Sequence, residues 1–278
     1  MGTTNAAYAL GHSGTELDRL ISQARFFGDL TAQVLHSAGV AEGMRVLDVG
    51  CGPGDVSFLA SAIVGPAGTV VGVDNSAEAV SLAAQRAREA QLSNVRFVTG
   101  DLQNLRLSDL KVAGQFDAIV GRLVLMYFAD PGALLRASLG LLRPGGVVAF
   151  HEMDISGSKS EPHCELFERT VERIRETFRR ARIDAQTGLK FPHIFRSAGL
   201  GPPHMILGAR IECGPDSAIY AQLVQITRTL APLMERTGVA TADRSGLNAL
   251  EDRLREEAVA RQAVVISPSL VGAWARKP

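Results

Sequence analysis

Gly50, Gly52 and Gly54 follow Asp48 at alternate positions, directly after the apolar Val46 and Leu47. That order reads as a buried strand that ends in a tight turn and opens a helix. Glycines in such a turn let the backbone take positive φ and let a ligand lie close against the main chain. The helix that begins near Gly54 offers unpaired N–H groups at its N-terminus. A dinucleotide site would seat a pyrophosphate on that terminus, with its glycines ordered G-x-G-x-x-G. Here the order is D-x-G-x-G-x-G, and a phosphate has no use for a carboxylate two residues ahead of the first glycine. A ligand carrying an amine and a sulfonium cation does. Cys51, inside the turn, reads as a small residue packed beside the ligand rather than as a nucleophile.

Other polar residues close apolar runs further along the chain. Asp74 ends the run Thr69 to Val73, where a carboxylate can accept two hydrogen bonds from vicinal ribose hydroxyls. Asp101 follows the run Asn94 to Thr99; taken alone it is a turn former. Arg122 sits among apolar residues, so its charge needs a partner, either a ligand's carboxylate or an acidic side chain. His151 and Glu152 follow Val147 to Phe150, near where open α/β sheets bind their ligands. A neutral imidazole there can remove a proton from a reacting hydroxyl or amine. As ordinary polar groups the two would only hydrogen-bond at the strand end.

The elements that position these residues are legible in outline. Ser13 and Glu16 have capping-box spacing, and apolar residues from Leu17 to Leu35 recur at helical spacing up to Gly39. This helix either covers a ligand, with Tyr8, His12 and Gln23 as candidates to touch it, or only packs. Strands are expected at Met44 to Val49, Thr69 to Val73, Asn94 to Thr99, Phe116 to Val120 and Val147 to Phe150, with helices between. Further on, helices are expected at Cys164 to Arg182, Leu189 to Ala198, Ser217 to Gly238 and Arg244 to Ala260. A sixth strand is expected over Met205 to Cys213. Ala263 to Ile266 and Leu270 to Ala275 read as one last antiparallel strand, interrupted at Ser267-Pro268-Ser269. The helices between Ser217 and Ala260 then form an insertion placed as a lid, with Tyr220 and Met234 as candidates for an apolar substrate wall.

Composition narrows the function classes. The chain has 278 residues, 46% hydrophobic and 21% charged, which suits a globular protein with a substantial core. Its 29 Lys and Arg balance 29 Asp and Glu, and aromatics make up 5%, which argues against a general nucleic-acid binder. Three cysteines without regular spacing argue against a disulfide framework or a zinc site and suit a reduced, cytoplasmic protein. Met1 to Leu10 lacks the pattern of a signal peptide, and no apolar stretch approaches membrane-spanning length.

Asp48 to Gly54 resembles, without a gap, the first motif of the class I S-adenosylmethionine-dependent methyltransferases. Asp74, Asp101 and the turn Leu142-Arg143-Pro144-Gly145-Gly146 stand where that family has its later motifs, so the resemblance covers at least Met44 to Asp154. It implies an α/β fold: a doubly wound, Rossmann-like, seven-stranded, mostly parallel sheet with an antiparallel last strand and a helical lid insertion. It implies one domain over 1–278, with an N-terminal helical cap (1–43), a cofactor-binding core (44–154) and a C-terminal part (155–278) whose lid spans about 214–262. It implies S-adenosylmethionine as cofactor. Asp48, Gly50, Gly52 and Gly54 would form the methionine end with Cys51 beside them, and Arg122 is a further candidate there. Asp74 would hold the ribose, next to Asn75. Asp101 would accept from the adenine amino group, with the Leu102 backbone reading the ring.

Within the family the chain is similar to small-molecule methyltransferases. The Asn-Pro-Pro-Tyr tetrapeptide of enzymes that methylate nucleic-acid or glutamine amino groups is absent after the fourth strand, where Gly121-Arg122-Leu123-Val124 stands instead. The expected reaction is methyl transfer to oxygen, nitrogen or carbon of a small, fairly apolar metabolite, with His151 and Glu152 as the candidate catalytic residues. No nucleic-acid or membrane partner is expected, and pairing with a second copy stays open. Two other readings stand beside this one: a nicotinamide-dinucleotide oxidoreductase on a related fold, and a non-catalytic subunit that only binds the cofactor.

Overall fold

Apolar runs that alternate with amphipathic helices close most readily as a parallel sheet with crossover helices. The computed structural model, which describes residues 14–110, 112, 114–239 and 244–278, has this arrangement in its first half. After α1 (Gly14–Ser37) come β1 (Arg45–Val49), α2 (Asp55–Val64), β2 (Thr69–Asp74), α3 (Ala77–Glu89), β3 (Val95–Thr99), β4 (Phe116–Arg122), α4 (Pro131–Ser138) and β5 (Leu142–Asp154). These five strands run parallel. The second half adds β6 (Lys159–Glu161), α5 (Glu165–Arg180), α6 (Phe191–Ser197), β7 (His204–Gly208) and β8 (Ile211–Cys213). Then come α7 (Ala218–Arg236), α8 (Arg244–Asn248), α9 (Leu250–Ala260), β9 (Val264–Ile266) and β10 (Ser269–Arg276). Tyr8, His12 and Ser13 lie outside the described residues.

The main sheet has seven strands in the order β3-β2-β1-β4-β5-β10-β7, with β10 antiparallel to both neighbours. The order reverses between β1 and β4, and such a switch point opens a crevice at the carboxyl ends of the strands. Three apolar clusters hold the molecule together. One, with Val46, Ala60, Val70 and Ala118, joins the sheet to α1, α2 and α3. A second, with Leu47, Ile119, Leu134 and Phe195, joins its other face to α4 and α6. The third, with Phe167, Ile174, Tyr220, Leu223 and Leu254, is the core of the lid, and α1 joins it through Phe26 and Phe27.

Three expectations are corrected here. Met205 to Cys213 is two strands in two sheets, because β8 leaves the main sheet and pairs with β9 and β6 in a three-stranded sheet. The last segment splits in the same way: β9 belongs to the small sheet and β10 to the main one. Both changes happen at one crossing, where the Ser267 N–H donates to the Arg210 carbonyl and the Arg210 N–H donates to Ser267 Oγ, each at 3.0 Å. Finally, β5 does not stop at Phe150. Its antiparallel ladder with β10 runs on from Val147 to Asp154, so His151 and Glu152 lie inside the sheet, opposite Gly272 and Val271.

Candidate active site

A cavity of about 190 Å³ opens at the carboxyl ends of β1, β2 and β4. One end is the glycine turn. Gly50, Gly52 and Gly54 have φ of 72°, 51° and 92°, the left-handed region that a side chain would strain. At Gly50 a Cβ would also lie 2.4 Å from Val124 Cγ2, so the turn and the loop after β4 touch only because that Cβ is missing. Arg86 of α3 clamps the turn from outside, donating to the Pro53 carbonyl and pairing with Asp55 at 2.8 Å.

Asp74 faces the cavity with its carboxylate already oriented. Oδ2 accepts from the Gly52 N–H and Oδ1 from the Ser76 N–H, both at 2.9 Å. An ionised carboxylate offers about four lone-pair positions, so two remain for a ligand. Asn75, Ala79 and the buried Leu102 line the same end. Asp101, next to Leu102, is exposed and is not among the lining residues; it accepts from the Gln103 N–H and from Asn104 Nδ2, which leaves two of its lone pairs.

Period-two alternation along the strands decides the rest. Asp48, Arg122 and His151 point to the α1 and α2 side of the sheet, and Glu152, being next to His151, points to the other. Asp48 is fully buried below the glycine turn. Its Oδ2 accepts from the Ser57 hydroxyl at 2.6 Å, while Oδ1 has no partner among the described residues. Burial pushes this carboxyl up to about 7 against the pull of Ser57 and Arg122. Arg122 lines the cavity and donates from Nη1 to Thr31 Oγ1 of α1 at 3.0 Å. Among the described residues no carboxylate lies within ion-pair distance of it, so the internal salt bridge open to it on sequence is not found.

The two candidate catalytic residues are not among the residues that line the cavity. His151 is 2% exposed and lies under α1, with Nδ1 3.2 Å from Thr31 Oγ1. Burial and the Arg122 charge hold its imidazole down at about 3, so it is neutral. On the other face, Glu152 Oε1 accepts from the Val124 and Leu125 N–H groups at 2.8 and 2.7 Å. Glu152 therefore caps the short 3-10 turn Leu125–Tyr127 and holds the loop in which Leu123 has a φ of +53°. That loop brings Val124, Met126, Tyr127 and Phe128 into the cavity wall.

The lid supplies the apolar end through part of the expected apolar stripe, Tyr220, Leu223, Ile226, Leu230, Leu233 and Met234. Ile226, Thr229 and Leu230 of α7 meet Met153 and Phe178 there. Tyr220 and Met234 are buried in the lid's own core, and the Tyr220 hydroxyl donates to the Gly214 carbonyl at 3.2 Å. Leu20 and Gln23 bring α1 into the wall, so the helix does cover the cavity. Sequence reasoning passed over Arg86, Thr31, Asp55, Met153, Phe178 and Thr229. Of these only Asp55, first in the helix after the glycines, carried a local signal.

Cys51 lines the cavity as well, and burial together with the Asp48 and Asp74 charges pushes its thiol well above the ordinary value. A thiol so held is a poor nucleophile. Iodoacetamide near neutral pH is therefore expected to label the exposed Cys213 at least roughly tenfold faster than Cys51. Peptide mass spectrometry reads the ratio, and preferential labelling of Cys51 would mean that the turn carries a thiolate.

Comparison with known proteins agrees with this geometry. A family model described as a methyltransferase domain matches residues 41–199, more than half of the chain. The chain is 35% identical over 138 residues to an arsenite methyltransferase of Aquipseudomonas alcaligenes, 47% of this chain and 37% of that protein. It is 36% identical over 121 residues to the nocamycin O-methyltransferase of Saccharothrix syringae, 44% of this chain and 42% of that one. The chain thus spans less than half the length of these curated relatives. Among solved structures, a putative methyltransferase from Bacillus halodurans matches with a TM-score of 0.58 at 14% identity, over 89% of this chain and 98% of that one. At that identity the likeness speaks for the fold. Among the described residues no helix is long and apolar enough to cross a membrane.

Proposed function

The chain belongs to the methyltransferase domain family, and from that premise we propose that it transfers the methyl group of S-adenosylmethionine to a small, fairly apolar organic acceptor. The observation that carries this is a single cavity with a polar, glycine-lined end and an apolar end under the lid. Three features suit the cofactor. Arg122 is a cavity-lining cation without a counter-carboxylate among the described residues and matches the methionine carboxylate. Asp48, buried below the glycine turn with Oδ1 unpartnered among the described residues, would be ionised by an ammonium or sulfonium placed above it. Asp74 has two lone pairs left for vicinal ribose hydroxyls, and Asn75, Ala79 and Leu102 flank the adenine. Residues 44–154 are then the cofactor-binding core, α1 its cap, and α7 and α9 the lid.

When bound, the cofactor supplies an electrophilic methyl on a sulfonium. This chain's residues supply position and a dry site. Met126, Met153, Phe178, Ile226 and Leu230 exclude water and hold the acceptor's apolar body, with the Thr229 hydroxyl available to orient it. Holding two reactants in line is by itself worth about 7–11 kcal/mol of barrier. With His151 and Glu152 behind the wall, neither touches the acceptor. Arsenite, the substrate named for one relative, fits less well. It is a thiophilic centre, and Cys51 is the one cysteine among the described lining residues.

Calorimetric titration tests the reading. S-adenosylhomocysteine is expected to bind at one site, and NAD and NADP are expected not to bind. Dinucleotide binding without S-adenosylhomocysteine binding would replace this reading with the oxidoreductase. Transfer of labelled methyl to a panel of apolar phenols, amines and quinols separates an enzyme from a subunit that only binds.

A further inference from the structure

We propose that Thr31, on α1, is a positioning residue that sets the Arg122 guanidinium for the cofactor's carboxylate and so links docking of the N-terminal helix to cofactor binding. The proposal rests on the methyltransferase reading of the site and adds a role for a residue outside the cavity.

Thr31 is 2% exposed and stands where α1, β4 and β5 meet. Its hydroxyl has three neighbours. The Phe27 carbonyl lies 3.0 Å away, His151 Nδ1 3.2 Å away, and Arg122 Nη1 donates to it at 3.0 Å. A hydroxyl has one proton and two lone pairs, so all three contacts are met together in one way. The proton goes to the Phe27 carbonyl, and the oxygen accepts from Arg122 Nη1 and from the Nδ1–H tautomer of His151. One hydroxyl thus ties Arg122 at the end of β4 and His151 of β5 to α1.

Asp55 and Asp48 attract Arg122 from beyond ion-pair distance. Among the described residues the Thr31 oxygen is the one acceptor that its guanidinium hydrogen-bonds. An arginine with a single neutral acceptor keeps most of its donors for another partner. The same helix brings Leu20 and Gln23 to the cavity wall, less than four turns before Thr31. An α1 that lifts off therefore removes a wall of the cavity and, among the described residues, the one hydrogen bond that orients Arg122. By linkage, a ligand that needs Arg122 in place must favour the docked helix to the same degree.

The test pairs two ligands with substitutions at Thr31. S-adenosylhomocysteine carries the carboxylate, and 5′-methylthioadenosine lacks the whole amino-acid tail. In Thr31→Val, which keeps the shape and loses the hydroxyl, S-adenosylhomocysteine is expected to bind about tenfold more weakly. Methylthioadenosine is expected to stay within about twofold, and Thr31→Ser to restore binding. Hydrogen exchange gives the second readout: S-adenosylhomocysteine protects the α1 amides in wild type and protects them less in Thr31→Val. Should Thr31→Val not fold, Thr31→Ala is held to the same selectivity. Equal weakening of both ligands, or no change in either, overturns the proposal while leaving the cofactor assignment intact. Failure of wild type to bind S-adenosylhomocysteine would remove the reading of the site and this proposal together.

Discussion

Asp74→Ala is expected to weaken S-adenosylhomocysteine binding by at least about 100-fold with the fold retained. The carboxylate would accept two hydrogen bonds from the ribose, and each bond to a charged group is worth about 1.5–3 kcal/mol. Together they correspond to a factor between roughly a hundred and a few tens of thousands. The substitution also leaves the Gly52 and Ser76 N–H groups without their acceptor, so the glycine turn loses its tie to the end of β2. Asp74→Asn separates the two effects. An amide keeps one accepting oxygen but turns an NH2 toward a backbone donor, so its loss is expected to be smaller, about tenfold. Calorimetry gives the affinities, and far-ultraviolet circular dichroism checks the fold. An affinity within threefold of wild type in a folded Asp74→Ala would remove the ribose assignment.

Glu152 yields the second large effect, on stability. Removing its side chain in Glu152→Ala leaves two buried N–H groups unpaired and opens a cavity beside the loop after β4. Each orphaned donor costs about 1–3 kcal/mol, so a total loss of about 3–5 kcal/mol is expected in urea unfolding. Glu152→Gln keeps an oxygen that accepts both bonds and is expected to cost far less. The pH dependence has a definite sign. Burial pushes the Glu152 carboxyl from an ordinary 4.5 up to about 7, although Val124, Leu125 and Met126 N–H groups pull it down. Between those two values the folded state holds a proton that the unfolded chain has released. Stability therefore falls as pH rises across that interval, by up to roughly 3 kcal/mol from this group. Asp48, also raised by burial to about 7, contributes in the same direction. Wild type should thus be less stable near pH 8.5 than near pH 5.5, and Glu152→Gln should lose part of that slope. An unchanged slope would mean that the carboxyl titrates as an exposed one.

The parallel half of the fold was legible because each strand there is a largely apolar run followed by glycine or a charged residue, and each helix repeats its own period. The small sheet of β6, β8 and β9 was not, since strands of three residues carry too little pattern to set against a turn. At the last segment, Ser267-Pro268-Ser269 reads as an interruption of one strand. Only the bonds between Ser267 and Arg210 show that the chain changes sheets there. The lid helix was legible as a helix, but α7 is apolar around most of its circumference, including Tyr220, Leu223, Val224, Ile226, Leu230 and Met234. Periodicity alone could not say which of these meet the cavity.

What the sequence determined by itself is local: a glycine turn at positive φ, a carboxylate ahead of it, and Asp74 at the end of the next strand. These follow from spacing along a few residues, because backbone conformation and strand termination are decided by near neighbours. The tertiary structure decided which polar side chains reach the cavity. His151 and Glu152 were expected at a strand end, yet β10 continues the ladder past them and the two-residue period sends them to opposite faces, both behind the wall. Arg122 meets a hydroxyl from a helix 91 residues away. Such contacts depend on how far a strand is paired and on what packs above it, and those are set by segments far apart in the chain.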